Sequence, residues 1–312
     1  MTTPAIFHHE AVFYAGDDEF VERSRGFVEE GLERGEPVLV MVGSRKLELL
    51  REALGTSAER VHCTDMEVVG RNPARIIPAW SRFAREHAGN GGRMRGIGEP
   101  IWAGRNPNEL TECQLHESLI NLAFAAADAF RLICPYDTSA LPQDVIAEAR
   151  RSHPVVSHEG GEHASPDYCG IDNVAARFSA PLPEPPPDAE ELTVTMRALR
   201  DARRLVRARA QEAGLGERSD DFVLAVNEVL SNSIHHARED GMLRVWQDPD
   251  GLVCEVRDGG HIVQPLIGRE EPALGQIGGH GIWLVNLVCD LVQVRSSAEG
   301  STVRMEMKRP TE

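Results

Sequence analysis

Three polar side chains stand out in the otherwise apolar segment of residues 222–237. Glu228, Asn232 and His236 follow one another at intervals of four residues, so a helix would align them in one stripe. An amide oxygen suits Mg²⁺, which prefers oxygen ligands, and a carboxylate one turn away can deprotonate or orient a hydroxyl nucleophile. The stripe is therefore typical of chemistry on bound phosphates, but it also fits the hydrophilic edge of an ordinary amphipathic helix.

A stripe of this kind needs a helix that is anchored in a core. The apolar positions of the segment fall together on another side of the helix. They are Phe222, Val226, Val229, Leu230 and Ala237. The pattern therefore predicts a helix over 222–237. One side of this helix packs against the core, and another side carries the polar stripe.

Two glycine motifs further along the chain are of the kind that accompanies such a helix. Asp258-Gly259-Gly260 ends a predicted strand, where the carboxylate can accept a hydrogen bond from an exocyclic amine such as that of adenine. Gly278-Gly279-His280-Gly281 leads directly into a predicted helix, where backbone N–H groups can bind phosphate. Each motif alone is a weak signal. In this order, after the polar stripe, they together indicate a nucleotide site.

Residues 190–310 resemble the Bergerat-type ATP-binding fold of gyrase, MutL and the histidine kinases, and are most similar to the bacterial anti-sigma-factor serine kinases. Glu228-x-x-x-Asn232-x-x-x-His236-Ala237 is similar to their N box. Asp258-x-Gly260 and Gly279-x-Gly281 are similar to the first and second glycine boxes, and Thr302 to a threonine that closes the nucleotide site. One position departs from the pattern, because Ile262 stands where the first glycine box usually has a second glycine.

The resemblance implies a role for each matching residue. Asn232 would hold Mg²⁺ on the phosphates of ATP, Asp258 would select adenine, and Glu228 would activate the serine hydroxyl of a protein substrate. The segment 261–278 would form the lid, and Ile262 bears on its mobility and on the catalytic rate. The further nucleotide-binding residues would be His236, Gly260, Gly279, Gly281 and Thr302.

The first half of the chain alternates apolar strand-like runs with helical patterns, which predicts a mostly parallel sheet flanked by helices. The predicted strands are 11–14, 37–42 and 131–134, and the predicted helices are 19–34 and 46–54. Residues 5–155 resemble the MEDS sensory domain, a RecA-like α/β module without a working phosphate loop. The resemblance is carried by His8-His9-Glu10-Ala11-Val12-Phe13-Tyr14, Gly98-Glu99-Pro100-Ile101-Trp102 and Cys134-Pro135-Tyr136-Asp137. Gly43-Ser44-Arg45-Lys46 lacks P-loop spacing, so no ATP is assigned to this half.

Five prolines between Ser179 and Pro187 exclude a helix or a central strand there. We therefore predict a sensory domain over 1–178, a proline-rich linker over 179–190 and an ATP-binding kinase domain over 191–312. In the last of these, two helices, two strand pairs and a third helix predict an α+β sandwich. The predicted helices are 196–213, 222–237 and 281–290, and the predicted strands are 242–248, 252–258, 291–296 and 302–308.

Cysteine and histidine residues in the first half raise the question of a metal site. Cys113 and His116 are three residues apart on a predicted helix, and His8, His9, His62 and Cys63 lie elsewhere. A metal or haem site is one interpretation. The other, which the pattern favours, is that isolated cysteines are buried as small hydrophobic residues.

Composition restricts the class of protein. The net charge of −16 argues against non-specific nucleic-acid binding, and no apolar run approaches the roughly 20 residues of a membrane span. The six cysteines have no CxxC spacing, which favours reduced thiols in a cytoplasmic protein.

Together with these observations, the two resemblances imply a cytoplasmic, signal-responsive regulator that binds ATP and Mg²⁺ and phosphorylates a serine of an antagonist protein, or sequesters a sigma factor. We expect sigma-factor pathway proteins as partners, neither membrane nor direct nucleic-acid binding, and, from the resemblance, a homodimer. Two alternatives are a non-catalytic, ATP-gated binding protein and a histidine-kinase-like sensor.

Overall fold

The chain folds into two compact units, Met1–Val174 and Ala175–Glu312. The computed structural model describes residues 7–88, 93–127, 129–158, 161–236, 240–272 and 279–310, without the side chain of His236. The boundary between the units falls inside one helix, Gly170–Ser179. Each unit has its own sheet.

The first unit contains a seven-stranded mixed sheet in the order β3-β2-β4-β5-β1-β6-β7. Strands β1 to β6 pair in parallel, and β7 pairs antiparallel with β6. The strands are β1 His8–Tyr14, β2 Val38–Val42, β3 His62–Asp65, β4 Met94–Gly98, β5 Phe130–Asp137, β6 Val155–His158 and β7 Gly161–Ala164. The helices are α1 Gly16–Glu33, α2 Ser44–Leu54, α3 Met66–Val69, α4 Ile76–Glu86, α5 Pro107–Ala123, α6 Gln143–Ser152 and α7 Gly170–Ser179.

The predicted alternation of strands and helices is confirmed, and the predicted parallel pairing holds for β1 to β6. All five residues of β2 are buried, because a parallel strand with helices on both faces has no side that meets water. Helix α5 begins with a capping box, in which Asn106 and Glu109 exchange backbone and side-chain hydrogen bonds of 2.9 and 3.2 Å. This cap fixes the start of a helix whose inward face carries several polar residues.

The second unit contains a five-stranded antiparallel sheet in the order β11-β12-β10-β9-β8. The strands are β8 Glu190–Val194, β9 Gly241–Gln247, β10 Gly251–Asp258, β11 Leu291–Ser297 and β12 Gly300–Lys308. The helices are α8 Leu199–Glu212, α9 Arg218–His236 and α10 His280–Val288. The predicted helices and strand pairs of this unit are confirmed, while β8 lies where the proline-rich segment was expected to end.

One face of this sheet forms the core with helices α8, α9 and α10. Its apolar members include Val206, Phe222, Leu230, Val256 and Met305. The opposite face carries a buried ion pair, in which Arg304 donates to Glu255 at 2.9 Å. Arg304 also donates to the carbonyl of Pro183 at 2.5 Å, so the proline-rich segment lies against this outer face.

A charged contact joins the start of α9 to the far edge of the sheet. Arg218 donates to both carboxylate oxygens of Asp290 at 2.8 and 3.0 Å, and the backbone N–H of Lys308 donates to Asp290 at 2.8 Å. Asp290 is buried, with 1% of its side chain exposed. The contact holds α9 in position relative to β11 and β12.

We expect Arg218→Ala to lower the free energy of unfolding by about 2–3 kcal/mol, because it removes the two hydrogen bonds that Arg218 donates to the buried Asp290 carboxylate. Urea denaturation of the full chain measures this effect. Arg207→Ala is the matched control, since its ion pair with Asp220 is 50% and 79% exposed and is worth only about 0.5 kcal/mol. Equal losses in the two variants would contradict the assigned role of Arg218.

In the described part of the chain, no helix combines the length and the apolar character that crossing a membrane would require.

Candidate functional site

Helix α9 presents two different sides, as predicted. Phe222, Val226, Val229 and Leu230 are buried in the core of the second unit. Glu228 and Asn232 are half-buried. The helix extends to His236, but the side chain of His236, and Ala237 with it, lie outside the described residues.

A cavity of about 480 Å³ lies beside this helix. Four chain segments line it: α9, the end of β10 with the loop after it, the start of α10, and β12. Its lining residues are Val229, Asn232, Ser233, Asp258, Gly260, His261, Ile262, Val263, Gln264, Ile267, Gly279, Gly281, Ile282, Ser301 and Val303. The structure thus brings together five of the predicted site residues, Asn232, Asp258, Gly260, Gly279 and Gly281.

Asp258 is held at the end of β10 by two hydrogen bonds. The backbone N–H of Gly260 donates to Asp258 Oδ1 at 2.8 Å, and the hydroxyl of Ser301 donates to the same oxygen at 2.9 Å. Both bonds use Oδ1, so Oδ2 retains its capacity to accept a hydrogen bond from a molecule in the cavity. This arrangement fixes the carboxylate for recognition of an N–H donor.

The strand register determines which residue of β12 reaches the cavity. Ser301 pairs with Asp258 and with Ser296, and directly opposite residues share a face of the sheet. Thr302 pairs with Arg257, and its side chain lines a cavity on the outer face. The structure therefore does not bring Thr302 to the predicted site, and Ser301 lies there instead.

The start of α10 allows a molecule in the cavity to approach the backbone closely. Gly279, the N-cap residue, has φ +80° and ψ −4°, a left-handed conformation that favours glycine. At Gly281, an added Cβ would lie 2.8 Å from Asn232 Nδ2 and 3.5 Å from Glu228 Oε2. The carboxylate and the amide of the α9 stripe therefore face the first turn of α10. Glu228 does not line the cavity itself but lies next to it.

Sequence reasoning missed Ser233, although it follows Asn232 directly. Ser233 is 4% exposed and lines the cavity. Among the described residues, its hydroxyl oxygen has no hydrogen-bond partner. Buried hydroxyl groups are normally hydrogen-bonded, so this one is suited to bind a polar ligand. No periodic or motif signal distinguishes Ser233 from other serines of the helix.

The first part of the predicted lid packs on the second unit. Ile262 and Ile267 contact the core, and the backbone N–H of Ile262 donates to Ser296 Oγ at 2.9 Å. Asn286 of α10 donates to the carbonyl of Gly268 at 2.9 Å. Residues 273–278 of the lid lie outside the described residues.

Two families of known proteins match separate parts of the chain. Residues 8–154 match the family described as MEDS, the methanogen/methylotroph DcmR sensory domain. Residues 192–307 match the family described as the histidine kinase-like ATPase domain. The chain joins a MEDS domain to a histidine kinase-like ATPase domain. No curated protein matches it.

Among solved structures, this chain is similar to the crystal structure of the RsbU and RsbW domains of Rv1364c from Mycobacterium tuberculosis. The identity is 18%, the match covers 41% of this chain and 34% of that chain, and the TM-score is 0.30. The match thus spans about a third of that structure.

The contact between Gly281 and Asn232 in the ATPase domain provides a test of the cavity. We expect Gly281→Ala to lower affinity for ATP in the presence of Mg²⁺ about tenfold or more, because the new Cβ displaces Asn232. Isothermal titration calorimetry measures the affinity. Gly26→Ala is the matched control, since Gly26 lies in helix α1 with no atom within 4 Å of the added Cβ. The control should bind ATP like the wild type and gain about 0.5–1 kcal/mol in stability. Unchanged affinity in Gly281→Ala would argue against a ligand between α9 and α10.

Proposed function

We propose that the ATPase domain binds Mg²⁺-ATP in the 480 Å³ cavity and transfers a phosphoryl group to a serine of a partner protein. The observation that carries this proposal is the convergence of Asn232, Asp258, Gly260, Gly279 and Gly281 from separate segments on one cavity. Residue types suited to an adenine ring, to phosphates and to Mg²⁺ thus lie around one concave site, which is the arrangement expected of a nucleotide-binding pocket.

The cavity fits an adenine nucleotide. Asp258 provides a fixed acceptor for an exocyclic amine, and apolar side chains provide walls for a planar ring. These apolar lining residues are Val229, Ile262, Ile267, Ile282 and Val303. The close approach of backbone at Gly279 and Gly281 fits the phosphate end. The hydroxyl of Ser233, which has no hydrogen-bond partner among the described residues, lies on the Asp258 side, because a Cβ added at Gly241 would lie 2.7 Å from Ser233 Oγ and 3.4 Å from Asp258 Cβ. In this proposal Ser301 takes the position first expected for Thr302, and His236 keeps its predicted role in nucleotide binding.

Asn232 would hold Mg²⁺ through its amide oxygen, because Mg²⁺ takes oxygen ligands. When bound, Mg²⁺ neutralises charge on the phosphates. Glu228 lies one turn before Asn232 and beside Gly281, so it would accept the proton of a serine hydroxyl that enters from the open side of the cavity. The rest of the protein would position the nucleotide and the serine hydroxyl. Positioning is the main contribution that phosphoryl transfer needs, because side chains form few covalent bonds in it.

The anti-sigma-factor role is the finer part of the proposal. It is supported by the similarity of the N box and the two glycine boxes to the serine kinases of that class. In this proposal the chain acts in the cytoplasm as a homodimer, phosphorylates an antagonist protein or binds a sigma factor, and responds to a signal received by the MEDS domain.

The same proposal includes a RecA-like core for the MEDS domain and the division into 1–178, 179–190 and 191–312. The parallel strands β1 to β6, connected mostly by helices, support the first part. The five prolines between Ser179 and Pro187 support a linker.

Calorimetry of the full chain with ATP tests the proposed function, with and without Mg²⁺ and with GTP as the comparison nucleotide. We expect saturable binding of ATP that Mg²⁺ strengthens and a clear preference over GTP, because Asp258 accepts from an amine. No binding of any adenine nucleotide would overturn the proposal.

Transfer is tested with γ-labelled ATP and the antagonist protein that copurifies from the native host. Label on serine is stable to acid and labile to base. Acid-labile label would favour the histidine-kinase alternative, and ATP-dependent partner binding without any label would favour the non-catalytic switch.

A further inference from the structure

Four side chains with metal-binding atoms meet in the interior of the MEDS domain. They come from four places in the chain: His9 from β1, Glu117 from α5, Cys134 from β5 and His153 from the residue after α6. None is more than 2% exposed. Burial of two imidazoles, a carboxylate and a thiol is costly unless these groups form hydrogen bonds with one another or bind a shared ion. The cluster takes no part in the proposed nucleotide site.

The spacing of the four donor atoms suits a single metal ion. His9 Nε2 lies 3.2 Å from Glu117 Oε2 and 3.3 Å from Cys134 Sγ. Glu117 Oε2 lies 3.3 Å from His153 Nε2 and 3.6 Å from Cys134 Sγ. Around a tetrahedral zinc ion, with its usual bond lengths, neighbouring donor atoms are separated by about 3.3–3.6 Å. All four donor atoms lie within 4.8 Å of one another.

The hydrogen bonds of the imidazoles determine which nitrogen faces the cluster. His153 Nδ1 lies 2.8 Å from the carbonyl oxygen of Ala149, so Nδ1 carries the proton and donates. Asn121 donates through Nδ2 to the carbonyls of Glu117 and Ser152 at 3.1 and 2.8 Å, which orients its amide. Asn121 Oδ1 therefore faces His9 Nδ1 at 3.0 Å and accepts its proton. In both histidines an oxygen acceptor holds the Nδ1 proton and Nε2 is left to act as a ligand, as is usual for histidines that bind metal ions.

The hydrogen bonding of the cluster is incomplete, which favours a bound cation. Among the described residues, His153 Nε2 and Glu117 Oε1 have no hydrogen-bond partner, although both are fully buried. A divalent ion held by the four donor atoms would give His153 Nε2 a partner and would balance the charge of the Glu117 carboxylate.

We propose that His9, Glu117, Cys134 and His153 form a closed zinc site inside the MEDS domain. A thiolate, a carboxylate and two neutral imidazoles bring two negative charges, which a divalent cation balances, so the loaded site is neutral. The mixture of sulfur, nitrogen and oxygen donors suits Zn²⁺ among the common divalent ions. Four protein ligands leave no position for a substrate, so the ion is structural and ties β1, α5, β5 and the end of α6 together.

Binding exchanges a proton for the metal. Without the ion the Cys134 thiol is protonated, because burial and the neighbouring Glu117 raise its pKa well above the usual range. On metal binding the S–H bond breaks, the Zn–S bond forms and the proton passes to the solvent buffer.

The cluster differs from the metal residues weighed in the sequence. Of those, only His9 belongs to it, while Cys113 donates to the carbonyl of Pro100 at 3.2 Å. Cys113 is also fully buried in the same unit. It therefore provides a matched control for Cys134.

The experiment uses the full chain, unfolded under reducing conditions with a chelator and then refolded with an equivalent of Co²⁺ as a spectroscopic probe for zinc. We expect about one cobalt per chain, intense visible bands of a tetrahedral ion and a thiolate-to-cobalt band in the near ultraviolet. Addition of Zn²⁺ should remove these bands. Cys134→Ala should lack the thiolate band, Cys113→Ala should keep it, and His153→Gln should bind Zn²⁺ at least tenfold more weakly than the wild type.

Wild-type measurements decide the question if a variant does not fold. X-ray absorption at the zinc edge of the refolded chain should show one sulfur among nitrogen and oxygen neighbours, and Zn²⁺ should raise the thermal midpoint of the wild type. Binding of less than a tenth of an equivalent of metal, or a site without sulfur, would overturn the proposal. Either result is independent of ATP binding, which lies in the other unit.

Discussion

Replacement of Glu228 by alanine should abolish phosphoryl transfer while leaving nucleotide binding nearly unchanged. A positioned general base contributes about 10²–10⁴-fold to a rate, so we expect the transfer rate to fall by that factor. The affinity for Mg²⁺-ATP should change by less than about threefold, because Glu228 lies beside the cavity and does not line it. Labelled transfer to the partner protein measures the first quantity and calorimetry the second.

The Glu228→Gln variant shows whether Glu228 acts as a general base or has only a structural role. Glutamine keeps the size of the side chain and can still form hydrogen bonds, but it takes up no proton. This variant should be as inactive as the alanine variant. Glu212→Gln, an exposed position on α8, should transfer phosphate at the wild-type rate. Full activity in Glu228→Gln would show that another group accepts the proton. Partner binding that persists in an inactive Glu228 variant would show that switching does not depend on transfer.

Replacement of Asn232 by alanine should weaken the binding of Mg²⁺-ATP about a hundredfold, the equivalent of roughly 2.7 kcal/mol. The variant loses the amide that lines the cavity and faces the first turn of α10. The decisive measurement is the difference between titrations with and without Mg²⁺. In the wild type Mg²⁺ should strengthen binding strongly, and in Asn232→Ala this gain should largely disappear.

Gln247→Ala is the control for loss of an amide. Gln247 is exposed at the end of β9 that lies away from the cavity, so its removal should leave both titrations unchanged. If Asn232→Ala loses affinity for ATP equally with and without Mg²⁺, Asn232 contacts the nucleotide itself and does not hold the ion.

Much of the second unit could be predicted from local patterns. The apolar positions of α9, the alternation of β9 and β10 and the glycine turn before β12 each depend on residues close together in the chain. Asp258 and Gly281 could be placed in one site because each lies at the end of an element, where strand and helix termini converge. In the first unit, the long apolar runs of β2 and β5 predicted buried parallel strands, since only strands covered on both faces tolerate them.

Other features depended on contacts that no local pattern contains. Ser301 and Thr302 are equally plausible neighbours of Asp258 in the sequence, and only the register of β12 on β10 puts Ser301 beside it. Strand β8 was missed because its short Glu190–Val194 pattern begins only three residues after the last of the prolines.

The sequence by itself determined the chemistry that is available: a carboxylate and an amide one turn apart, an acid at a strand end and glycines before a helix. Tertiary structure decided which groups meet. It placed Ser233 and Ser301 at the cavity and assembled His9, Glu117, Cys134 and His153 across 145 positions of chain. The physical reason is that strand register and helix packing are set by burial of whole faces, which acts between residues far apart in the chain.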